Sequence, residues 1–212
     1  IRDLLYLLGF VSLIGTPYAV LMPIFADKIL NGGASGLGIL MGATGVGALA
    51  GALSLAMRSG IKGLGRWVAF SCAGFGISLI AFSLSTSFWL SAFLLIPVGF
   101  CMMIQMASSN TLIQSLVSDN FRGRVMAVYS MMFMGMAPLG ALIAGAIADR
   151  FGAPITVTIG GAVCIFGGIA FGLRLPTFRH EAREIIVALQ MAGGEPANHI
   201  TGQASVSATR GS

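Results

Sequence analysis

Charge is what this sequence has least of. Lys, Arg, Asp and Glu make up 9% of its 212 residues, where a water-soluble domain keeps about a quarter to cover its surface. None occurs across 67–118, a run of 52 residues, so a surface bathed in water is excluded for most of the chain. Histidine is almost missing: His180 and His199 both lie near the carboxy terminus. No apolar stretch therefore holds an imidazole to serve as general base or metal ligand. An intramembrane serine protease needs such a base beside its Ser, and none is present. Cys72, Cys101 and Cys164 stand singly inside apolar stretches, without the paired spacing of a metal site and with nothing to support disulfides. The chain is read as no enzyme, with no metal and no catalytic residues. Its formal charge of +5 is spread along the sequence rather than gathered into one patch, which argues against nucleic acid as a partner.

What is present is apolar. The residues are 56% hydrophobic, with 14 Phe, 12 Met and 30 Gly, and the mean hydropathy is +0.92. The few charges punctuate the chain, leaving gaps at 4–26, 29–57, 67–118, 125–148 and 151–173. A bilayer core about 30 Å thick takes roughly 20 helical residues, so the gaps of 23, 24 and 23 residues each hold one crossing. The gap at 29–57 opens with NGGASG, a loop signal, and the longest gap holds two crossings divided at SLSTS (83–87). The expectation is an all-α integral membrane protein: one bundle of six transmembrane helices with spans at about 4–26, 37–57, 67–84, 88–115, 125–148 and 152–173. A signal peptide is excluded because the first stretch lacks a basic leader and a small-residue cleavage site. Soluble helices are excluded because these segments are apolar all round, with no charged face.

Six crossings put both termini on one side. That side carries Arg2, Arg58, Lys62, Arg66, Arg122, Arg124, Arg174, Arg179 and Arg183, against Lys28 and Arg150 opposite. Basic residues near span ends stay in the cytoplasm, so the termini and the 58–66 and 119–124 connections are expected there. DNFRGRVMA (119–127) reads as a cytoplasmic hairpin loop. Beyond the last span, 176–192 reads as an amphipathic segment on the cytoplasmic membrane face. The Gly-, Ser-, Ala- and Thr-rich 193–212 reads as a disordered tail.

DNFRGRVMAVYSMMFMGMAPLGALIAGAIADRFGAP (119–154) resembles the major facilitator superfamily, in the branch that includes the bacterial enterobactin exporter. An acidic residue, Arg-Gly-Arg, an apolar helix with Pro-Leu-Gly and a closing Asp beside Gly-Ala-Pro recur there at this spacing. LMPIFADKILNGGASGLGILMGATGVGALAGAL (21–53) is similar to that branch's seventh span, outer loop and eighth span. The sequence departs at Ser118, where Pro is common, at Asn120, where an acid is common, and at RSGIKGLGR (58–66), which lacks the superfamily's loop Asp. The resemblance implies the carboxy-terminal half of a twelve-span transporter whose two six-span bundles enclose a midplane site. An exporter of small molecules such as siderophores or drugs, working by alternating access in the bacterial inner membrane, is what it predicts. Its partners would be the lipid bilayer, an amino-terminal six-span bundle and the substrate. No cofactor is implied. No Asp, Glu, Lys, Arg or His lies inside any span, so if protons drive transport, the titrating carboxylate belongs to the other half. The competing reading is a non-transporting six-span scaffold or interaction protein acting as a homodimer.

Candidate site residues follow. Arg122 and Arg124, with Asp119 three residues before Arg122, read either as topology anchors or as a gate whose ion pairs break and reform; Arg58 and Arg66 belong to the other cytoplasmic loop. In QMASSNTLIQ (105–114), Gln105, Ser108 and Ser109 share one helix face and Asn110 and Gln114 another. One face bonds to neighbouring helices and the other lines a cavity, since neither suits lipid. In the superfamily the first and fourth spans line the pathway, which implies Gln105 and Ser109 there, with Ser12 and Thr16 beside Pro17 as the matching pair. Gly38, Gly42, Gly47 and Gly51 form two small-xxx-small pairs suited to helix packing.

Overall fold

The computed structural model describes residues 9, 11–15, 17–57, 64–117 and 119–191, except for the side chains at 116, 119, 120 and 174–191. Among these, every regular element is helical. The first span contributes a helical segment at 11–14 and then α1 (Tyr18–Ile24), which widens into a π-helical turn at Phe25–Ile29. It is followed by α2 (Gly33–Ala56), α3 (Leu64–Leu84), α4 (Phe88–Leu116), α5 (Asp119–Phe151) and α6 (Ala153–Met191). Five helices, α2 to α6, are long and apolar enough to cross a membrane. Of the expected span at 4–26, residues 9, 11–15 and 17–26 are described.

Helices dominate because hydrocarbon offers the backbone no partner, and each amide must be satisfied within its own segment. That constraint explains where the element boundaries depart from expectation. NGGASG is not a loop of six residues: only Asn31 and Gly32 interrupt, and α2 starts at Gly33. Asn31 (φ 50°) and Gly33 (φ 59°) turn the chain in left-handed backbone. Gly36 is already buried under the Phe88 ring, where an added Cβ would lie 3.0 Å from Cε2. DNFRGRVMA is likewise no hairpin loop but the opening turns of α5, which starts at Asp119. The last helix runs without a break through Pro176 to Met191, so the separate amphipathic segment expected at 176–192 is a continuation of α6. The tail expected at 193–212 lies outside the described residues.

At the SLSTS signal, 85–87 are non-helical. Ser91 donates to Ser85 Oγ at 2.9 Å, and Ser85 donates to the Ser87 carbonyl at 3.2 Å, so the hydroxyls of the turn satisfy one another.

Two seams of close backbone approach organise the bundle. Along α2 and α4, a Cβ on Gly47 would overlap the Ile96 carbonyl, one on Gly99 would overlap the Thr44 carbonyl, and one on Gly51 would lie 2.8 Å from Phe100 O. Along α3 and α6, a Cβ on Gly76 would overlap the Gly161 carbonyl, and one on Gly168 would lie 2.9 Å from Ala73 N. Cys72 Sγ bonds to Cys164 O at 3.2 Å on that seam, and Ser83 pairs with Thr158 at 2.7 Å. Aromatic pairs fill the space beneath the first span: Phe25 on Phe82 with centroids 4.7 Å apart, and Tyr18 edge-on to Phe75 at 5.9 Å. The central helix α3 has 44% of its apolar window buried, whereas α2 has 17% and α5 has 11%. Two of the five apolar helices therefore leave most of their residues outside the core of the bundle.

Candidate functional site

The polar run on α4 divides as its helical angles require, and the structure decides which side faces inward. Gln105, Ser108 and Ser109 are buried, at 3%, 0% and 1% exposure. The Ser108 hydroxyl has no hydrogen-bond partner among the described residues. Gln114 and Thr111 are exposed and Asn110 is half-buried. Gln114 Nε2 donates to Asn110 Oδ1, one turn back, and Thr111 donates to the Ala107 carbonyl at 2.9 Å. The pathway face selected from the sequence, Gln105 and Ser109, is thus turned into the bundle, and the amide pair selected against it is the one presented outward. The two serines are small enough to tuck between close helices, while the amides of Asn110 and Gln114, one turn apart, satisfy each other along the helix surface.

The other pathway candidates fall differently. Ser12 is buried, and its hydroxyl donates to the Phe133 carbonyl on α5 at 2.6 Å, so its proton is committed to a neighbouring helix. Thr16 lies outside the described residues. The glycine series on α2 also splits. Gly47 and Gly51 pack against α4, whereas nothing lies within 4 Å of a Cβ built on Gly38 or Gly42, both exposed.

The gate candidates gather at the ends of α3 and α5. Arg122 and Arg124 are exposed in the first two turns of α5, and the Arg124 guanidinium lies 5.9 Å from the centroid of the Phe121 ring. Two cations sit there at the positive end of a helix dipole, an arrangement the helix itself disfavours. Arg66 is exposed in the first turn of α3. Arg58 and the Asp119 side chain lie outside the described set, and so does the expected Asp119–Arg122 pairing. Tyr129 on α5 reaches α4, donating to the Met106 carbonyl at 3.2 Å. Sequence reasoning missed this bond, although a Tyr alone among Met, Val and Ser is a signal that a hydroxyl seeks a partner.

Among the described residues no group of His, Cys, Asp and Glu is placed to hold a metal ion. An all-helical chain of this length and hydropathy, with neutral amides and hydroxyls along one helix and arginines at helix ends, has the parts of a multi-pass membrane transporter. A model of the transmembrane secretion effectors, transporters of the major facilitator type, matches residues 7–201. The match covers nearly the whole chain, which belongs to that family. Its membership points to transport rather than catalysis. Comparison with the curated proteins and with the solved structures returned no match.

Proposed function

We propose that the chain is the carboxy-terminal six-span half of a secondary transporter that exports small molecules across the bacterial inner membrane by alternating access. The observation that carries this is the Asn110–Thr111–Gln114 face on α4, inside the apolar stretch Phe88–Ser115, with Thr111 and Gln114 exposed and Asn110 half-buried. Carboxamides at that depth are costly against lipid and call for water or protein beside them. A cavity shared with a second bundle supplies both. The largely unburied α2 and α5 are where that bundle would rest, with the open Gly38 and Gly42 allowing backbones to approach closely. Arg122 and Arg124 then act as the cytoplasmic gate. The pathway offered by this half is uncharged, so it recognises substrate through amides, hydroxyls and apolar contacts, while charge recognition and any proton coupling fall to the other half.

Expressing the two bundles as separate chains tests the reading. Together they should restore efflux of a substrate, and this chain alone should give none. Robust transport by the purified chain alone in liposomes would sink the half-transporter and favour a six-span homodimer.

The orientation has its own test. A lone Cys at Ser59, in a background without other cysteines, should react with an impermeant maleimide only after cells are opened. Reaction in intact cells would reverse the assignment of sides.

A further inference from the structure

The helix α5 is held to the rest of the bundle in two unequal parts, divided at Pro138. Beyond the proline its backbone is wedged against the first span: a Cβ on Gly140 would overlap the Leu13 carbonyl and lie 2.9 Å from Pro17 Cγ, and Ala144 is buried, while Leu139, Leu142 and Ile143 face outward. Before it, among the described side chains of 121–138, only Tyr129 is buried. That half is tied to its neighbours by hydroxyl bonds: Ser12 to the Phe133 carbonyl at 2.6 Å, and Tyr129 to the Met106 carbonyl at 3.2 Å. Pro138 lacks the N–H that would bond the Met134 carbonyl, and its ring crowds the preceding turn, so the helix bends most easily there. The Ser12 bond lands on the carbonyl next to the one the proline releases. Open Gly135 lies between those carbonyls and Pro138, with only the Met131 side chain, 3.9 Å away, near an added Cβ.

We propose that Ser12 and Tyr129 are positioning residues, whose hydroxyls clip the 121–137 half of α5 to the first span and to α4. Hinged at Pro138, this half moves as an arm that carries Arg122 and Arg124. The arm's use as a gate rests on the transporter reading; the clips and the hinge do not. Ser12 is then no substrate contact, because its hydroxyl is engaged with a helix that must let go for the arm to swing. In a membrane there is no hydrophobic force to press an apolar helix onto its neighbours, so two hydrogen bonds are a large share of what fixes its position.

Amide hydrogen exchange of the full-length protein in nanodiscs tests this. Ser12→Ala should speed exchange across 121–137 about threefold, the size of one interhelical hydroxyl bond in a membrane. Tyr129→Phe should act similarly, and the double variant roughly multiplicatively. Exchange in 140–151, α3 and α6 should stay at wild-type rates, and Ser12→Thr, which keeps a hydroxyl, should restore protection. Unchanged exchange at 121–137 in both single variants, or a uniform rise over every helix, would overturn the clips. So would a Ser12→Thr chain that exchanges like Ser12→Ala. Efflux measured in parallel separates the two claims, since exchange in the arm needs no transport and loss of transport leaves the exchange result standing.

Discussion

Gly99→Val should prevent the bundle from assembling. A Cβ at position 99 would overlap the Thr44 carbonyl and approach Ala48 N at 3.0 Å, and the reciprocal Gly47 faces Ile96 and Phe100 in the same way. These are backbone atoms inside helices, so no rotamer change relieves the overlap. α2 must move away from α4 along the whole seam, and dispersion contacts fall off steeply with even an ångström of gap. Overpacking a side chain costs about 1–3 kcal/mol; a clash with backbone at a crossing helix belongs at or above the top of that range. Lipid offers no hydrophobic penalty that would push the separated helices back together. The expected result is loss of the monodisperse, thermally cooperative species in detergent. Gly42→Leu is the contrast, since nothing lies within 4 Å of a Cβ there. It should leave the melting of this chain unchanged and yet abolish co-purification with the second bundle, if that bundle rests on α2. A Gly99→Val chain that melts like wild type would mean that α2 and α4 do not cross at these glycines.

The same glycines show what could be read without coordinates. Charge-free runs pointed to apolar helices, five of which the described residues form, because moving Arg or Asp into hydrocarbon is costly enough to punctuate any spanning sequence. The turn at 85–87 was legible for the same reason in reverse: a serine-rich break supplies hydroxyls for its own polar groups, as Ser85 does in donating to the Ser87 carbonyl and accepting from Ser91. What misled was punctuation learned from water. Glycines in NGGASG and charges in DNFRGR read as loop signals, yet α2 already starts at Gly33 and α5 at Asp119, so each stretch supplies the opening turns of a helix. Rotation about the helix axis was the harder quantity. A period of 100° separates Gln105 and Ser109 from Asn110 and Gln114 but does not say which pair looks outward, since that depends on which neighbours α4 has. Only the packing of α4 in the bundle resolves it, and it places Gln105, Ser108 and Ser109 inside. Nor does spacing distinguish Gly38 and Gly42 from Gly47 and Gly51; the crossing point of α4 does.

Asn110→Leu combined with Gln114→Leu should all but silence transport while leaving the bundle as stable as before, or more so. The two amides bond to each other on the surface of α4 and to nothing else described, so their removal breaks no tie to another helix. Leu is the better helix surface in hydrocarbon. If the face lines a water-filled pathway, however, each amide offers a substrate one free donor or acceptor beyond the bond they share. Losing two neutral hydrogen bonds of about 0.5–1.5 kcal/mol each lowers uptake into the binding site roughly 5- to 150-fold. An apolar surface also dries the cavity that lets the substrate shed its water. The measurement is efflux by the complete transporter beside the melting temperature of the purified protein. Gln105→Leu provides the counterpart, because Gln105 is buried at 3% exposure on the face turned into the bundle. An apolar side chain of similar volume there should be neutral or mildly stabilising and should leave transport within about twofold of wild type. The opposite pattern, with Gln105→Leu silent in stability but inactive and the double variant fully active, would return the pathway to the Gln105–Ser109 face and turn Asn110 and Gln114 toward a protein contact instead.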